Sequence, residues 1–293
     1  MSKTLLLVDG MAYAYRAFHA IPPMTSPAGV PTNAVFGFVR MLQRMIGAAM
    51  PDYLAAVFDT PEPTFRHERL ATYKIQRPPM PADMASQIPW IKEYLGASRV
   101  ACLAYPGYEA DDVIATLAVR AAAAEVNSLI ATSDKDLCQL VDDHVGILRA
   151  GLGEHEVIDA SGVVRKFGVA PAQIVDYLTL VGDASDNVPG VQGIGPKTAV
   201  DLLTRYGTLE SVFEHLDELK PRQRDLLGSA RDTAFGMREL LRINRAVPVS
   251  ESLDDLAVRD PDAPRLDELK RCLGFHASGT QDAAPQEPQM TLF

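Results

Sequence analysis

The sequence lacks any apolar run that could cross a bilayer, since a transmembrane helix needs about 20 consecutive apolar residues. The chain does open on an apolar stretch, but Asp9 interrupts it too early for a secretion signal. These two absences argue against a membrane-spanning or secreted protein. We therefore expect a cytoplasmic protein that makes no membrane contact.

Cysteine is scarce as well. The three cysteines, Cys102, Cys138 and Cys272, are odd in number, lie far apart and lack the paired spacing of zinc ligands. We interpret them as buried or idle thiols and expect neither a disulfide nor a zinc site.

Basic residues are outnumbered by acidic ones, 28 against 38, which gives a net charge of −10. Nucleic-acid-binding proteins usually carry a basic surface, so the charge alone argues against that class. Net charge does not record where the charges lie, however. Acids gathered at one metal site are offset by bound cations, and basic residues elsewhere can still face phosphates. The arrangement of the acids, and not their number, therefore decides whether the chain belongs to the nucleic-acid-binding class.

Short runs rich in valine, leucine and isoleucine alternate with longer segments of helical period. This alternation predicts an α/β fold with a mostly parallel central sheet flanked by helices. The predicted strands are Thr4–Val8, Tyr53–Phe58, Arg99–Leu103, Ser128–Ala131 and Val145–Leu148. The predicted helices include Thr32–Ala49, Pro81–Leu95 and Ala110–Ala124.

The pattern changes near Pro171, after which only helical periods remain. We therefore predict an α/β core over residues 1–170 and an all-α subdomain over residues 171–275. Residues 276–293 are too poor in apolar side chains to bury a core, so we expect a disordered tail.

Four of the predicted strands lead into acidic residues. These acids are Asp9, Asp59, the group Glu109, Asp111 and Asp112, and the pair Asp134 and Asp136. Ligands bind outside the carboxyl ends of parallel strands, so we expect the acids to gather at one edge of the sheet. Any one of them could be a helix cap or a solvated loop residue. Their shared placement predicts a site for a hard divalent cation such as Mg²⁺ or Mn²⁺.

A further acidic motif, which contains Asp183 and Asp186, stands at the start of the helical part and could by itself be a turn. It is followed by Gly193-Ile194-Gly195-Pro196-Lys197-Thr198. A glycine turn that opens a helix offers free backbone N–H groups to a phosphate, although a plain interhelical turn has a similar sequence. We interpret residues 188–206 as a hairpin that grips a nucleic-acid backbone without reading its bases.

The segment of about residues 60–81 mixes prolines with basic and aromatic side chains, which favours an exposed, mobile connection. Its basic residues are Arg66, Arg69, Lys74 and Arg77, and its aromatic residues include Phe65 and Tyr73. Basic side chains follow phosphates and aromatic rings stack on unpaired bases, so this segment also predicts DNA binding. The alternative is a solvated charged helix.

Together these motifs resemble one family, the 5′ nuclease domain of bacterial DNA polymerase I and the related flap endonucleases. The matching strings are Leu7-Val8-Asp9-Gly10, Phe58-Asp59, Phe65-Arg66-His67, Tyr73-Lys74, residues 106–112, Thr132-Ser133-Asp134-Lys135-Asp136, residues 182–187 and residues 190–199. The resemblance covers roughly residues 3–275 in the family's order.

The resemblance implies a PIN-like core with a helical arch over residues 60–81, a helix–hairpin–helix element and two divalent metal ions. A first ion would be surrounded by Asp9, Asp59, Glu109, Asp111 and Asp112. A second would be held by Asp134, Asp136, Asp183 and Asp186. The helix–hairpin–helix element of similar proteins also binds K⁺.

The implied activity is that of a structure-specific 5′ nuclease, a 5′-3′ exonuclease and 5′-flap endonuclease that hydrolyses DNA by a two-metal mechanism in replication and repair. Asp9, Asp112 and Asp134 would serve catalysis. Lys74 and Arg77 would stabilise charge on the scissile phosphate, while Tyr73 would stack on a nucleotide near the cut.

Two rival functions stay open at this point. A PIN-type ribonuclease has the same core, but the glycine hairpin argues against it. A non-catalytic module that binds DNA junctions is the other rival, and the complete set of acids opposes it.

No polymerase module follows, so we expect a free-standing, monomeric flap endonuclease, or else a piece of a larger protein. The last five residues favour the first reading because they resemble the peptide by which bacterial proteins bind the sliding clamp. The residues that would bind the clamp are Gln289, Leu292 and Phe293. The alternative is an incidental tail.

Overall fold

The computed structural model describes residues 2–150 and 155–275. Its centre is a six-stranded sheet in the order β3-β2-β1-β4-β5-β6. The strands are β1 Thr4–Asp9, β2 Tyr53–Val57, β3 Ala101–Leu103, β4 Asn127–Ala131, β5 Val145–Ala150 and β6 His155–Ile158. The first five run parallel, and β6 pairs antiparallel with β5.

The register of the parallel strands brings their carboxyl ends level. Val8 of β1 pairs with Ala56 of β2 on one side and with Ala131 of β4 on the other. Acids that follow these strands therefore start from a common edge. The four apolar residues of β1 before Asp9 are wholly buried because helices cover both faces of the sheet.

Helices connect the strands and form two apolar layers. They are α1 Gly10–Ala20, α2 Asn33–Ala49, α3 Phe65–Arg69, α4 Ala82–Ala85, α5 Ile88–Ala97, α6 Ala110–Ala123 and α7 Ala160–Phe167. Leu5 and Leu7 of β1 pack in the layer with α6, whereas Leu6 and Val8 pack in the layer with α1, α2 and α5. This alternation along β1 is the period of a strand buried on both faces.

The predicted α/β fold with a mostly parallel sheet is confirmed. The sequence patterns did not reveal α1, β6 or α7. The helix expected over Pro81–Leu95 is wrong as a single element, since it divides into α4 and α5. The side chain of Gln87, at the break, is fully buried and accepts hydrogen bonds from the N–H groups of Ala34 and Val35 at the start of α2.

The second part of the chain is helical, as predicted, with one addition. Its helices are α8 Ile174–Val181, α9 Pro196–Tyr206, α10 Leu209–Glu214, α11 Pro221–Leu241 and α12 Ala263–Leu273. Between α8 and α9, β7 Gly182–Asp183 pairs antiparallel with β8 Val188–Pro189. Gly182 has φ +84°, and a Cβ there would lie 2.5 Å from the backbone nitrogen of Gly190. Only glycine therefore permits this tight closure.

The two parts share a core. Buried side chains of α8, α9, α10 and α11 belong to the same apolar cluster as Leu5 and Leu7 of the sheet. α12 returns to the other layer, where Leu266, Leu269 and Leu273 pack. No helix within the described ranges is both long and apolar enough to span a membrane. The predicted tail and its residues Gln289, Leu292 and Phe293 lie outside the described residues.

Candidate active site

Asp9 is the last residue of β1 and caps the N-terminus of α1. One carboxylate oxygen accepts a hydrogen bond from the N–H of Ala12 at 2.9 Å, and the other accepts one from the Thr132 hydroxyl at 3.0 Å. Burial raises the pKa of Asp9 to about 7, and the nearby carboxylates of Asp59 and Asp134 add to the rise. This carboxylate is therefore costly to ionise unless a cation lies beside it.

The acids that follow β2 and β3 meet at the start of α6. Asp59 is exposed, and one of its oxygens accepts a hydrogen bond from the N–H of Ala110 at 2.9 Å. Glu109 is buried and occupies the N-cap position of α6. The first turn of α6 thus holds acids from two different strand ends beside each other, where the helix dipole partly offsets their charge.

Asp111 lies in that first turn and has no hydrogen-bond partner within the described part of the chain. Burial raises the pKa of its carboxyl well above the ordinary value, and Asp134, Asp9 and Glu109 raise it further. The acids from the ends of β1, β3 and β4 therefore act electrostatically on one another at Asp111. The expected gathering of strand-end acids is present here.

Asp112 departs from the sequence-based expectation. It is wholly buried, and its two oxygens accept bonds from the Arg66 guanidinium at 2.8 Å each, from the N–H of Asn244 at 2.8 Å and from the N–H of Glu109 at 3.2 Å. Both oxygens are occupied, so we correct the expectation that Asp112 is a metal ligand and a catalytic residue. In this structure it fixes the start of α6 and so positions Glu109.

A second acidic group forms beside the first. Oxygen atoms of Asp136, Asp183 and Asp186 all lie within 4.8 Å of one another. One oxygen of Asp136 is buried without a hydrogen-bond partner. Asp134 is joined to this group because one of its oxygens accepts a hydrogen bond from the N–H of Asp136 at 2.9 Å.

The members of the second group differ in protonation. Burial raises the pKa of Asp136 well above its ordinary value, and the carboxylates of Asp134, Asp183 and Asp186 raise it further. Burial also acts to raise the pKa of Asp183, but the hydrogen bond from the Lys135 ammonium at 2.7 Å and those from Ser185 outweigh it, and the net pKa is lowered. At a pH that lies between the two pKa values, Asp183 is therefore ionised and Asp136 is protonated.

Lys74 and Arg77, both predicted to face the scissile phosphate, lie against these acids. The Lys74 ammonium is 2.9 Å from an oxygen of Glu109 and 3.7 Å from an oxygen of Asp186. The Arg77 guanidinium is 2.6 Å from the other oxygen of Asp186, and its side chain remains half exposed. Lys74 thus joins the first acidic group to the second, whereas Arg77 contacts the second group alone.

The backbone of the 72–77 segment is fastened to the loop that carries Asp186. The N–H of Lys74 donates to the carbonyl of Asp186 at 3.0 Å, the Gln76 amide donates to the carbonyl of Ala184, and the Asn187 amide donates to the carbonyl of Thr72. Lys74 has φ +53°, a left-handed conformation that a non-glycine residue adopts at a cost. The tether turns its side chain toward the acids.

Two predicted DNA contacts from the arch segment are corrected. Arg66 is only 3% exposed because its guanidinium is engaged by Asp112, so it does not face a phosphate in this structure. Tyr73 is 5% exposed, and its hydroxyl lies within hydrogen-bond distance of two carboxylates, 3.0 Å from Asp186 and 3.2 Å from Glu109, so its ring is not free to stack on a base. Arg69 remains exposed, over the Phe65 ring.

The predicted hairpin takes the expected form of a tight turn before a helix. Gly193 has φ +82°, the Ile194 side chain is buried in the core, and Gly195 caps α9. Pro196 opens the helix, and Lys197 beside it is exposed. The first N–H groups of a helix have no partner within it, so this turn leaves backbone donors beside the exposed ammonium of Lys197.

Sequence reasoning missed the residues that hold the acids in place. Thr132 orients Asp9, Ser185 and Lys135 hold Asp183, and Gln76 ties the arch segment to the second acidic loop. The one signal present was Lys135 itself, a lysine set between two aspartates.

A pocket of about 10 Å³ connects the two acidic groups, with Glu109 and Asp111 on one side and Asp136 and Asp186 on the other. Its size is near the lower limit for a single water molecule. The atoms that could bind a metal here are carboxylate oxygens, and one of them is buried without a hydrogen-bond partner. Such oxygens suit hard divalent cations. The residues therefore fit the two-ion site that the sequence predicts.

Comparison with known proteins gives the same picture. The family model of the 5′-3′ exonuclease N-terminal resolvase-like domain matches residues 4–168, and that of the 5′-3′ exonuclease C-terminal SAM fold matches residues 169–264. The 5′-3′ exonuclease of Aquifex aeolicus (strain VF5) is 40% identical over 264 residues, which are 90% of each chain. DNA polymerase I of Bacillus caldotenax is 40% identical over 94% of this chain but only 32% of its own length. The chain thus spans about a third of that polymerase.

Solved structures share the fold at lower sequence identity. T5 5′-exonuclease with bound divalent metal ions (zinc) superposes with a TM-score of 0.69 at 18% identity, over 93% of this chain and 99% of that one. The catalytic core of Rad2 in complex with DNA substrate gives a TM-score of 0.63 at 17% identity, over 93% of this chain and 88% of that one. The α/β core and the helical second part therefore recur together.

Proposed function

Because the chain belongs to the 5′-3′ exonuclease family, we propose that it is a structure-specific 5′ nuclease, both a 5′-3′ exonuclease and a 5′-flap endonuclease, that hydrolyses DNA phosphodiesters in replication and repair. The observation that carries the proposal is the group of Asp136, Asp183 and Asp186, one oxygen of which is buried without a partner, set beneath a basic segment.

Two divalent ions, Mg²⁺ or Mn²⁺, are the proposed cofactors. Asp9, Asp59, Glu109 and Asp111 would hold the first, and Asp134, Asp136, Asp183 and Asp186 would hold or orient the second. When bound, such a pair supplies an activated water and stabilises the attacking and leaving oxygens of the phosphodiester. Lys135 and Ser185 keep Asp183 ionised and therefore ready to bind a cation.

The basic side chains bind and orient the phosphate. The Lys74 ammonium and the Arg77 guanidinium already lie within 4 Å of the acids that would hold the ions. From there they reach a phosphate placed over the acids and stabilise negative charge that grows during hydrolysis. Two buried side chains of the same segment support the acids. Tyr73 contacts Glu109 and Asp186, and Arg66 contacts Asp112.

DNA is held by backbone contacts away from the cut. The turn of Gly193, Ile194 and Gly195, with Lys197 and Thr198 at the start of α9, would grip the duplex and bind K⁺ through its carbonyls. Arg69 would contact the single strand that runs along the arch segment. Contacts of this kind position DNA without selecting its sequence.

Several further properties belong to the proposal. The residue ranges 1–170 and 171–275 act as the nuclease core and the DNA-binding subdomain. The tail tethers the enzyme to a sliding clamp through Gln289, Leu292 and Phe293. The enzyme works in the cytoplasm as a monomer. Deletion of residues 289–293 should weaken clamp binding and leave cleavage of free DNA unchanged, and an unaltered clamp affinity would rule out that contact.

The test of the main proposal is cleavage of a labelled 5′-flap duplex with and without Mg²⁺. The wild type should release the flap and leave a 5′ phosphate, and Asp134→Asn should be strongly impaired. A matched RNA flap separates this function from that of a ribonuclease. Wild-type protein that binds the flap with Mg²⁺ present but leaves it uncut would instead support the non-catalytic junction-binding module.

A further inference from the structure

A second set of basic residues lies toward the β4–β5 side of the sheet, whereas the arch segment follows β2 on the other side of β1. It is formed by Lys135 after β4, Arg149 in β5 and Lys166 in the last turn of α7. These three residues come from separate elements that the fold brings together. No sequence motif joins them, and none of the functions assigned above uses Arg149 or Lys166.

Among the described residues the charges of this surface are only partly neutralised, since Arg149 stands opposite Glu156 in the pairing of β5 with β6. Among residues 2–150 and 155–275, neither Arg149 nor Lys166 has an ion pair, whereas Lys135 has one, to Asp183. Burial lowers the pKa of Lys166, and the positive charges of Arg149 and Lys135 lower it further, whereas Cys138 and Glu156 act in the opposite direction without outweighing them. Cations that repel one another at a protein surface indicate a place for an anion.

Aromatic rings form the floor of the surface. The Lys166 ammonium lies 4.9 Å from the centre of the Phe167 ring, and that ring meets Tyr177 edge-on at 6.1 Å. Lys135 also acts on Tyr177, since its charge opposes the rise that burial causes in the tyrosine pKa. Lys166 therefore contacts the first ring of this pair, and the charge of Lys135 is felt at the second.

The surface is continuous with the hairpin. Gly168 ends α7 with φ +77°, and a Cβ placed on it would be 3.0 Å from the Val200 side chain of α9. α7 therefore packs at its C-terminus against the helix whose first turn carries Lys197. From α9 the cations run through Lys166 and Arg149 to Lys135, which contacts the acidic group.

We propose that Arg149 and Lys166 form a binding site for backbone phosphates of DNA, which guides one strand from the hairpin to the acidic site at Lys135. The inference rests on the proposed function, because it places DNA on both the hairpin and the acids. A purely structural role is the alternative for Lys166, since a cation in the last turn of a helix also stabilises the helix dipole.

The experiment compares Arg149→Ala/Lys166→Ala with wild type by fluorescence anisotropy of a labelled 5′-flap duplex, over a range of KCl in the presence of EDTA. A plot of log affinity against log salt has a negative slope, and each lost phosphate contact makes that slope about 0.9 less steep. The slope of the double variant should therefore be less steep by about two. Its affinity should fall several-fold at every salt concentration. Circular dichroism melting checks that the variant remains folded.

The matched control is Arg265→Ala/Arg271→Ala, which removes the same charge from α12 in the opposite layer. It should keep the wild-type salt slope. An unchanged slope in the Arg149/Lys166 variant overturns the proposal, as does an equal loss in the control.

In Mg²⁺, the Arg149/Lys166 variant should show a raised KM with an unchanged kcat. Binding in EDTA does not depend on cleavage. An inactive wild type would therefore contradict the nuclease proposal, whereas the proposed phosphate site would still be tested by the salt slopes.

Discussion

The guanidinium of Arg66 and the carboxylate of Asp112 form a two-pronged ion pair, with both nitrogen–oxygen distances at 2.8 Å. Neither side chain is exposed by more than a few per cent. The pair joins the arch segment to the first turn of α6, two stretches that are 46 residues apart in sequence. Its stability is therefore a condition for the geometry of the acidic site.

Removing one partner of this pair should destabilise the protein severely. Asp112→Asn removes the nearer of two carboxylates that neutralise the buried Arg66 guanidinium, and only Glu109, at 3.4 Å, then remains. Breaking a buried pair in this way costs up to about 3–5 kcal/mol. The free energy of unfolding, measured with urea in EDTA, gives the cost. The control is Asp225→Asn, because its pair with Arg224 is exposed and should contribute almost nothing. A stable Asp112→Asn protein that had lost one metal ion would show that Asp112 is a ligand after all.

Asp136→Asn should stabilise the protein in EDTA and weaken its response to Mg²⁺. The substitution removes a buried carboxyl that three neighbouring carboxylates already oppose, but it also removes a ligand of the proposed second ion. The melting temperature of the wild type should rise with Mg²⁺, whereas that of the variant should change much less. Asp217→Asn, at an exposed site, serves as control. An equal Mg²⁺ response in wild type and Asp136→Asn would argue against this ligand.

The stability of the protein in EDTA should fall as the pH rises from about 4 to about 7. The folded chain raises the pKa of Asp9 from 3.8 to about 7, so between these values the folded state binds the proton more tightly than the unfolded state does. Stability is then greatest below the unfolded pKa and declines as pH rises through the folded one. The contribution of Asp9 is on the order of 4 kcal/mol at most.

Urea unfolding at pH 5 and pH 8 measures this decline. Asp9→Asn should flatten it, because an amide does not titrate in this range. Added Mg²⁺ should restore stability at pH 8 in the wild type. A decline that is equally steep in Asp9→Asn would assign the effect to other groups.

Lys74→Ala should lower the rate of the cleavage step by about 10²–10³-fold, the usual effect of removing one donor that stabilises transition-state charge. Single-turnover cleavage at saturating DNA isolates this step. Lys74→Gly separates the side chain from the backbone, because glycine adopts φ +53° without strain but carries no ammonium. Arg69→Ala, outside the acidic site, should weaken DNA binding and leave the single-turnover rate intact. A full rate in Lys74→Gly would remove Lys74 from the mechanism.

Local sequence patterns predicted those parts of the site that follow directly from strand ends. Asp9 ends one buried strand and Asp59 comes after another, so their position at one edge was foreseeable from the apolar runs and the parallel sheet that they predict. The partner of Asp112 was not foreseeable in this way. Arg66 lies in a polar, proline-rich segment whose composition suggests exposure, and only tertiary packing places its side chain against α6.

The same limit explains two of the differences in the fold, the divided helix and the β7–β8 ladder. Nothing in Pro81–Leu95 indicates that Gln87 will cap another helix, because its hydrogen-bond partners lie more than 50 residues earlier. The β7–β8 ladder has two residues in each strand, too few for any alternation to be visible. A turn at Gly182 could be recognised in the sequence. The positions of Asp183 and Asp186 depend in addition on the close approach of Gly190, which the sequence does not show.

The hydrogen bonds between the 72–77 segment and the 184–187 loop also set where this chain can tolerate changes of length. Residues 61–63 are exposed and irregular, so insertions there would widen the opening of the arch without moving the acids. An insertion of one residue between Thr72 and Gln76 would separate Lys74 from Asp186, because both ends of that stretch are fixed to the loop. Variation in arch size should therefore be confined to the stretch before α3.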